Sequence, residues 1–172
     1  DCLNVGDEIA EDISRLGVSL SDPNFRWYGE PAKPVKQQFM DQAKRMNLDA
    51  MTASTSSELL SSRLWRRYAD QAIPMLEKIR QDPAQGEILI EGTEYIRCEI
   101  EHARDHEMIT QLEDFLRRRA KVSLVVPHEQ LRHSTGLKEA CRVLFGDDAE
   151  NRFSQYFEQN RDTALPPTST AV

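Results

Sequence analysis

Apolar residues recur at intervals of three and four along most of this 172-residue chain, which is the spacing of amphipathic helices. The longest such stretch runs from about Thr93 to Val122 and carries Ile96, Ile100, Ala103, Ile109, Leu112 and Leu116. Shorter stretches of the same kind precede and follow it. The sequence therefore predicts an all-α fold of six or seven helices packed around one long central helix (about 93–122), with little or no β-structure.

Clusters of proline, glycine and serine divide the chain into three parts. Residues 1–34 hold a first helix, which Gly17 is suited to end, and a loop with three prolines; we interpret them as a helix and linker from the end of a preceding domain. Residues 35–160 are predicted to form the helical domain. Residues 161–172 are rich in proline, serine and threonine and are predicted to form a disordered tail.

Local signals place some of the helix ends within the helical domain. The string from Thr55 to Glu58 has the form of a capping box and is expected to open a helix. Pro74 is expected in the first turn of the next helix, because proline lacks the amide that a helix interior needs. Residues 87–93 and 121–126 are short, and their patterns leave open whether they are extended or form loops.

Composition excludes several classes of function. A net charge of −7 disfavours binding to nucleic acid or to anionic membranes. The glycine-rich turns of dinucleotide-binding and P-loop domains are absent from the sequence. Three cysteines, Cys2, Cys98 and Cys141, lie far apart and fit reduced thiols better than a disulfide framework or a zinc ribbon.

The stretch around residue 100 contains chemically active side chains, but each has a simpler interpretation. Glu99, His102 and His106 share a helix face, yet a ferritin-like metal centre needs a second Glu-x-x-His that this sequence lacks. Cys98 and His102 are four residues apart, but no group to orient them is identifiable. The sequence therefore predicts no catalytic, cofactor-binding or metal-ligating residue. The basic cluster at 115–121 is offset by nearby carboxylates and is interpreted as helix ion pairs rather than a nucleic-acid surface.

A polar stripe runs beside the apolar face of the predicted long helix. Carboxylates and guanidinium groups on such a stripe are expected to pair internally or with neighbouring helices. In particular, Asp114 and Arg118 are predicted to belong to one network that includes Glu107. The stripe is predicted to have a structural role and consists of Glu99, His106, Glu107, Asp114, Arg118 and Arg119.

The string EIEHARDHEMITQLEDFLRRR resembles the long helix of the C-terminal α-helical domain of FAD-dependent glycerol-3-phosphate dehydrogenases and α-glycerophosphate oxidases. The positions that match the family pattern are Glu99, Ala103, His106, Glu107, Met108, Leu112, Glu113, Asp114, Leu116, Arg118 and Arg119. The upstream string LWRRYADQAIPML is similar to a second family segment, although Ala69 replaces the usual glycine. The family's FAD-binding and substrate-binding residues precede this domain, and no position of this chain matches them.

The resemblance implies a C-terminal accessory domain of a flavoprotein that oxidises glycerol 3-phosphate to dihydroxyacetone phosphate. It implies FAD in the full-length parent and none bound by this chain. The implied partner is the preceding FAD domain of the same polypeptide; a homodimer and peripheral membrane association of the parent stay open. The implied location is cytoplasmic, with the inner face of the membrane left open. Two alternatives remain, a stand-alone helical protein-interaction module without enzymatic activity and a metal-binding helical bundle.

Overall fold

The computed structural model describes Ile9 and residues 11–17, 31–54 and 56–160. Contacts divide the chain into two units, Asp1–Ala32 and Lys33–Val172. In the first unit, residues 11–15 are helical, and Gly17 follows with a φ of +80°, as predicted for the residue that ends this helix. The linker at 18–30 and the tail at 161–172 lie outside the described residues, so the predictions made for them stay predictions; Thr55 itself also lies outside the described residues.

The described residues of the second unit form seven α-helices joined by short turns, many of them 3-10 turns. The predicted all-α fold is therefore confirmed; the described residues contain no β-strand, and one isolated antiparallel bridge joins Ile88 to Ile96. No described helix is long and apolar enough to cross a bilayer. The helices are α1 (Lys33–Arg45), α2 (Leu60–Tyr68), α3 (Ala72–Gln81), α4 (Arg97–His106), α5 (His128–His133), α6 (Thr135–Phe145) and α7 (Ala149–Gln159).

The prediction of one continuous helix from about Thr93 to Val122 is wrong. Helix α4 begins only at Arg97 and ends at His106, and Glu107 has extended backbone angles. Residues 107–111 are not helical, and a second helical segment follows, which includes the π-helical turns Asp114–Arg119. The chain then makes a separate 3-10 turn at Val122–Leu124.

The interruption is stabilised by the Asp114 side chain. Its Oδ2 accepts hydrogen bonds from the backbone amides of Thr110 and Gln111 at 3.1 and 2.9 Å, and from the Thr110 hydroxyl at 3.0 Å. Amides at the start of a helix have no partner within it, so a carboxylate in the first turn that reaches back to them favours a new start. The two β-branched residues Ile109 and Thr110 also have a low preference for helix. The spacing of apolar residues continues across this break, so the sequence pattern did not indicate that the helix is interrupted.

The core consists of two hydrophobic clusters with α4 between them. Ile100 and Ala103 of α4 belong to the cluster formed with α6, α7 and the segment after residue 111. Ile96, which caps α4, and Cys98 belong to the cluster formed with α1, α2 and α3. Of the apolar side chains named for the predicted long helix, Ile109 is only half-buried, and the others are buried: Ile96, Ile100, Ala103, Leu112 and Leu116.

The start of α2 differs from the capping-box prediction, while the start of α3 agrees with the sequence. Helix α2 begins at Leu60, later than a cap at Thr55 would place it. Its first amides are satisfied from the preceding turn instead, since Leu60 donates to the Thr52 hydroxyl and Ser61 to the Asp49 carboxylate. Pro74 lies in the first turn of α3, as predicted.

Candidate functional site

A buried carboxylate, Glu99, lies at the centre of the polar contacts between α2 and α4. Its Oε2 accepts from Arg63 Nη2 at 2.7 Å and from the backbone amide of Ile96 at 3.1 Å. Its Oε1 accepts from the Tyr68 hydroxyl at 3.1 Å and from Arg67 Nη1 at 3.4 Å. These contacts give both carboxylate oxygens at least two donors.

Glu99 and its partners Arg63 and Tyr68 are buried from solvent, and this burial determines their chemistry. Arg63 also donates to the backbone carbonyl of Glu94. Burial raises the pKa of Tyr68, and the negative charge of Glu99 raises it further. The Tyr68 phenol is thus held protonated as a hydrogen-bond donor, and the cluster is suited to fixing α2 against α4 rather than to exchanging protons.

An open groove of about 630 Å³ lies beside this buried centre. Two of its arginines form cation–π contacts with aromatic rings. The Arg67 guanidinium lies 4.9 Å from the centre of the Tyr95 ring, and the Arg119 guanidinium lies 5.4 Å from the centre of the Tyr68 ring. The exposed Met108 side chain is also at the groove. We call this feature the arginine groove; its lining is Arg67, Tyr68, Gln71, His102, Glu107, Met108, Ile109, Asp114, Arg118 and Arg119.

The structure divides the predicted polar stripe into separate pairs. Arg118 Nη1 lies 2.8 Å from Asp114 Oδ1, within the second helical segment. Arg119 Nε lies 2.6 Å from Glu107 Oε2, so this pair spans the interruption. Glu99 is paired with α2, and no contact joins it to the other stripe residues.

His106, the remaining stripe residue, lies at the exposed end of α4. Its ring stacks on that of His102, with 4.4 Å between ring centres. Among the described residues, no group of three or more potential ligand side chains is placed to hold a metal ion. Cys98 is also unsuited to nucleophilic chemistry, because burial raises the pKa of its thiol to about 12.

Arg63 is the site residue that the sequence interpretation missed. Within the basic string RLWRRY, Arg63 is almost fully buried while Arg66 is exposed. The helical spacing in the sequence could have indicated that Arg63 is buried. Arg63 lies three residues after Leu60, which places it on the apolar face of α2, whereas Arg66 falls on the opposite side.

A second polar cluster, centred on Glu91, fixes the start of α6. Glu91 accepts from the hydroxyls of Ser134 and Thr135 and from the backbone amide of Gly136. The Ser134 hydroxyl, with the other two donors, holds the pKa of this carboxyl at about 2. Gly136 approaches the chain closely here, since a Cβ at this position would lie 1.8 Å from the carbonyl oxygen of Leu89. The cluster therefore acts as a helix cap supplied from another part of the chain.

The fold and these two polar clusters define an all-helical domain in which carboxylates join separate parts of the chain. A family model described as the C-terminal domain of alpha-glycerophosphate oxidase matches residues 28–151. The chain belongs to this family, and the resemblance carried by the strings at 64–76 and 99–119 is confirmed. Searches of curated proteins and of solved structures found no significant match.

Proposed function

We propose that this chain is the C-terminal accessory domain of a flavoprotein that oxidises glycerol 3-phosphate to dihydroxyacetone phosphate. The observation that carries the proposal is the family match, which extends from before α1 into α7 and so covers all of one hydrophobic cluster and most of the other. The flavin and the substrate would be bound by a preceding domain of the same polypeptide, which is then the chain's main partner. The proposed location is the cytoplasm.

In this proposal the chain supplies no catalytic residue. The best nucleophile candidate by sequence, Cys98, has a thiol whose pKa is raised to about 12 by burial, so the thiolate is scarce at neutral pH. Glu99 is enclosed by donors and holds two helices together. The glycine-rich turn through which a helix N-terminus approaches the pyrophosphate of FAD is absent from the sequence. These features support an accessory role.

The test is to compare this chain with the longer polypeptide that the proposal requires, in which an FAD domain precedes this one. We expect the longer protein to show flavin absorbance and to oxidise glycerol 3-phosphate with a quinone-type acceptor or oxygen. We expect the 172-residue chain, once circular dichroism shows that it is helical, to be colourless and inactive. Flavin retained by the isolated chain would refute the accessory role.

Variants of the longer protein test whether this domain takes part in the chemistry. Cys98→Ala and His102→Ala should each leave kcat within about twofold, because neither group is proposed to act on the substrate. A large loss of kcat with unchanged stability would assign that residue to catalysis. A longer protein without flavin or activity would instead favour the stand-alone interaction module.

A further inference from the structure

The arginine groove holds more hydrogen-bond donors than its own acceptors use. Each guanidinium carries several N–H groups. Among the described residues, Arg67 makes a single hydrogen bond, to Glu99, and Arg118 a single one, to Asp114. Arg119 is engaged through Nε alone, which lies 2.6 Å from Glu107 Oε2 in an ion pair. Most N–H groups of the three arginines are thus left for other acceptors.

Glu99 and Asp114 are largely satisfied by other donors, whereas Glu107 has Arg119 as its ion-pair partner. Glu99 already accepts from Arg63, from the Tyr68 hydroxyl and from the Ile96 amide. The Arg67 and Arg119 side chains are only 23% and 32% exposed, so water reaches them less than it reaches an ordinary surface arginine. A partly desolvated cation with unused donors is stabilised by any anion that can enter.

Neutral side chains and the net charge of the lining also favour an anion in the groove. The Gln71 side-chain amide and the ring nitrogens of His102 line the groove, and no described residue hydrogen-bonds to them. Burial lowers the pKa of His102, and the nearby positive charges of His106, Arg119 and Lys78 lower it further. Three arginines and two carboxylates line the groove, so its lining carries a net positive charge although the whole chain has a net charge of −7, which is screened beyond about 10 Å at ordinary ionic strength.

We propose that the arginine groove is a binding site for an oxyanion, either a phosphoryl or a carboxylate group, held mainly by Arg67 and Arg119. Gln71 and Arg118 supply further donors at its rim. Guanidinium groups suit such ligands because their planar donors match the spacing of two oxygens on one anion. The open form of the groove admits the charged end of a larger molecule. This site goes beyond the accessory role proposed above and does not depend on it.

The test is an NMR titration of the isotopically labelled 172-residue chain with inorganic phosphate and, separately, with glutarate. Chloride at matched ionic strength is the reference. We expect saturable shifts in the Gln71 side-chain amide, the His102 ring and the Arg67 guanidinium, and none of comparable size with chloride. Tighter phosphate binding identifies a phosphoryl ligand, and tighter glutarate binding identifies a carboxylate. Shifts that spread over all exposed cations without saturating would overturn the site.

Two variants and a matched control locate the binding. Arg67→Gln should weaken binding about tenfold, as expected for the loss of a charge-assisted hydrogen bond. Arg118→Gln should weaken it severalfold without disturbing the fold, because this side chain is 75% exposed. The control is Arg80→Gln, since Arg80 is 64% exposed and pairs with Glu77 on α3, away from the groove. Equal weakening by Arg80→Gln and Arg118→Gln would show nonspecific charge attraction and would refute the proposal.

Discussion

Arg63 and Glu99 form an ion pair in the interior of the domain, with 2.7 Å between Nη2 and Oε2 and side-chain exposures of 2% and 0%. The pair joins α2 to α4, and its two residues are 36 positions apart in the sequence. Burying two charges is costly, and the cost is offset here because Tyr68 and the Ile96 amide also donate to the carboxylate. The stability of the domain therefore depends on keeping both partners.

Glu99→Gln tests this dependence. The substitution keeps the shape of the side chain but leaves Arg63 buried without a counter-charge, so we expect a loss of about 3–5 kcal/mol in the free energy of unfolding. The control is Arg66→Ala, which removes the exposed 2.6 Å pair with Glu58 and should cost no more than about 1 kcal/mol. Urea unfolding measures both. Similar losses for the two variants would show that the Glu99 pair is not energetically special.

Gly136→Ala should destabilise the domain through a steric clash. The added Cβ would lie 1.8 Å from the Leu89 carbonyl oxygen, so α6 would have to move away from the segment that caps it. We expect a loss of about 3 kcal/mol or more. Gly146→Ala provides the comparison, because it meets no atom within 4 Å and only its backbone angles, φ +56° and ψ −123°, disfavour a side chain, at a cost of about 1–3 kcal/mol. A reversed order of the two midpoints in thermal unfolding would contradict the close approach.

Glu91 should make part of the stability depend on pH. Donation from the Ser134 hydroxyl, supported by Thr135 and Gly136, lowers the pKa of this carboxyl from 4.5 to about 2 in the folded chain. Because the folded pKa is the lower one, the stabilisation is present above about pH 4.5 and is lost as the pH falls toward 2. Glu91→Gln should flatten this part of the stability profile, measured as the urea midpoint against pH. An unchanged profile would mean that the cap contributes nothing as a charge.

The sequence predicted which helix faces are buried better than it predicted where helices end. Leu112 and Leu116 continue the apolar spacing of Ile96 and Ile100, and all four are buried. Apolar spacing records only which side of the chain faces the core. It does not record whether the backbone between two buried turns stays helical. Between α4 and the segment that begins at Leu112, the backbone is not helical.

The buried site was harder to predict, since its partners are distant in sequence. Arg63 and Glu99 meet only because α2 packs against α4, and no local pattern pairs them. By contrast, the pair Asp114 and Arg118 has the four-residue separation that favours contact on a helix. The sequence could therefore predict the ion pair between residues four positions apart, but it could not predict the ion pair that tertiary packing forms.

Asp114→Ala should cost more than an ordinary helix ion pair. The carboxylate pairs with Arg118 and also accepts from the amides of Thr110 and Gln111, so we expect a loss of about 1–2 kcal/mol, as for other helix caps. Glu113→Ala is the control, because Glu113 has only a 3.8 Å ion pair with Arg117 and should cost less than about 0.5 kcal/mol.

A double-mutant cycle separates the two contributions of Asp114. Combining Asp114→Ala with Arg118→Ala should show a coupling of about 0.5 kcal/mol, the value expected for an i,i+4 helix pair with one exposed partner. The remainder of the Asp114 loss then belongs to the cap at the interruption. Strict additivity of the two substitutions would mean that Asp114 acts through the cap alone.

Leu112→Ala tests whether the segment after the interruption belongs to the core. Leu112 is 1% exposed and packs in the cluster with α4, α6 and α7, so its truncation leaves a cavity and should cost about 2–5 kcal/mol. Leu124→Ala is the matched control, since Leu124 is 64% exposed on the 3-10 turn and its loss should change the free energy of unfolding by no more than about 0.5 kcal/mol. The two urea midpoints should therefore differ clearly. A near-neutral Leu112→Ala would mean that residues 112–119 are not held against the core as the structure shows.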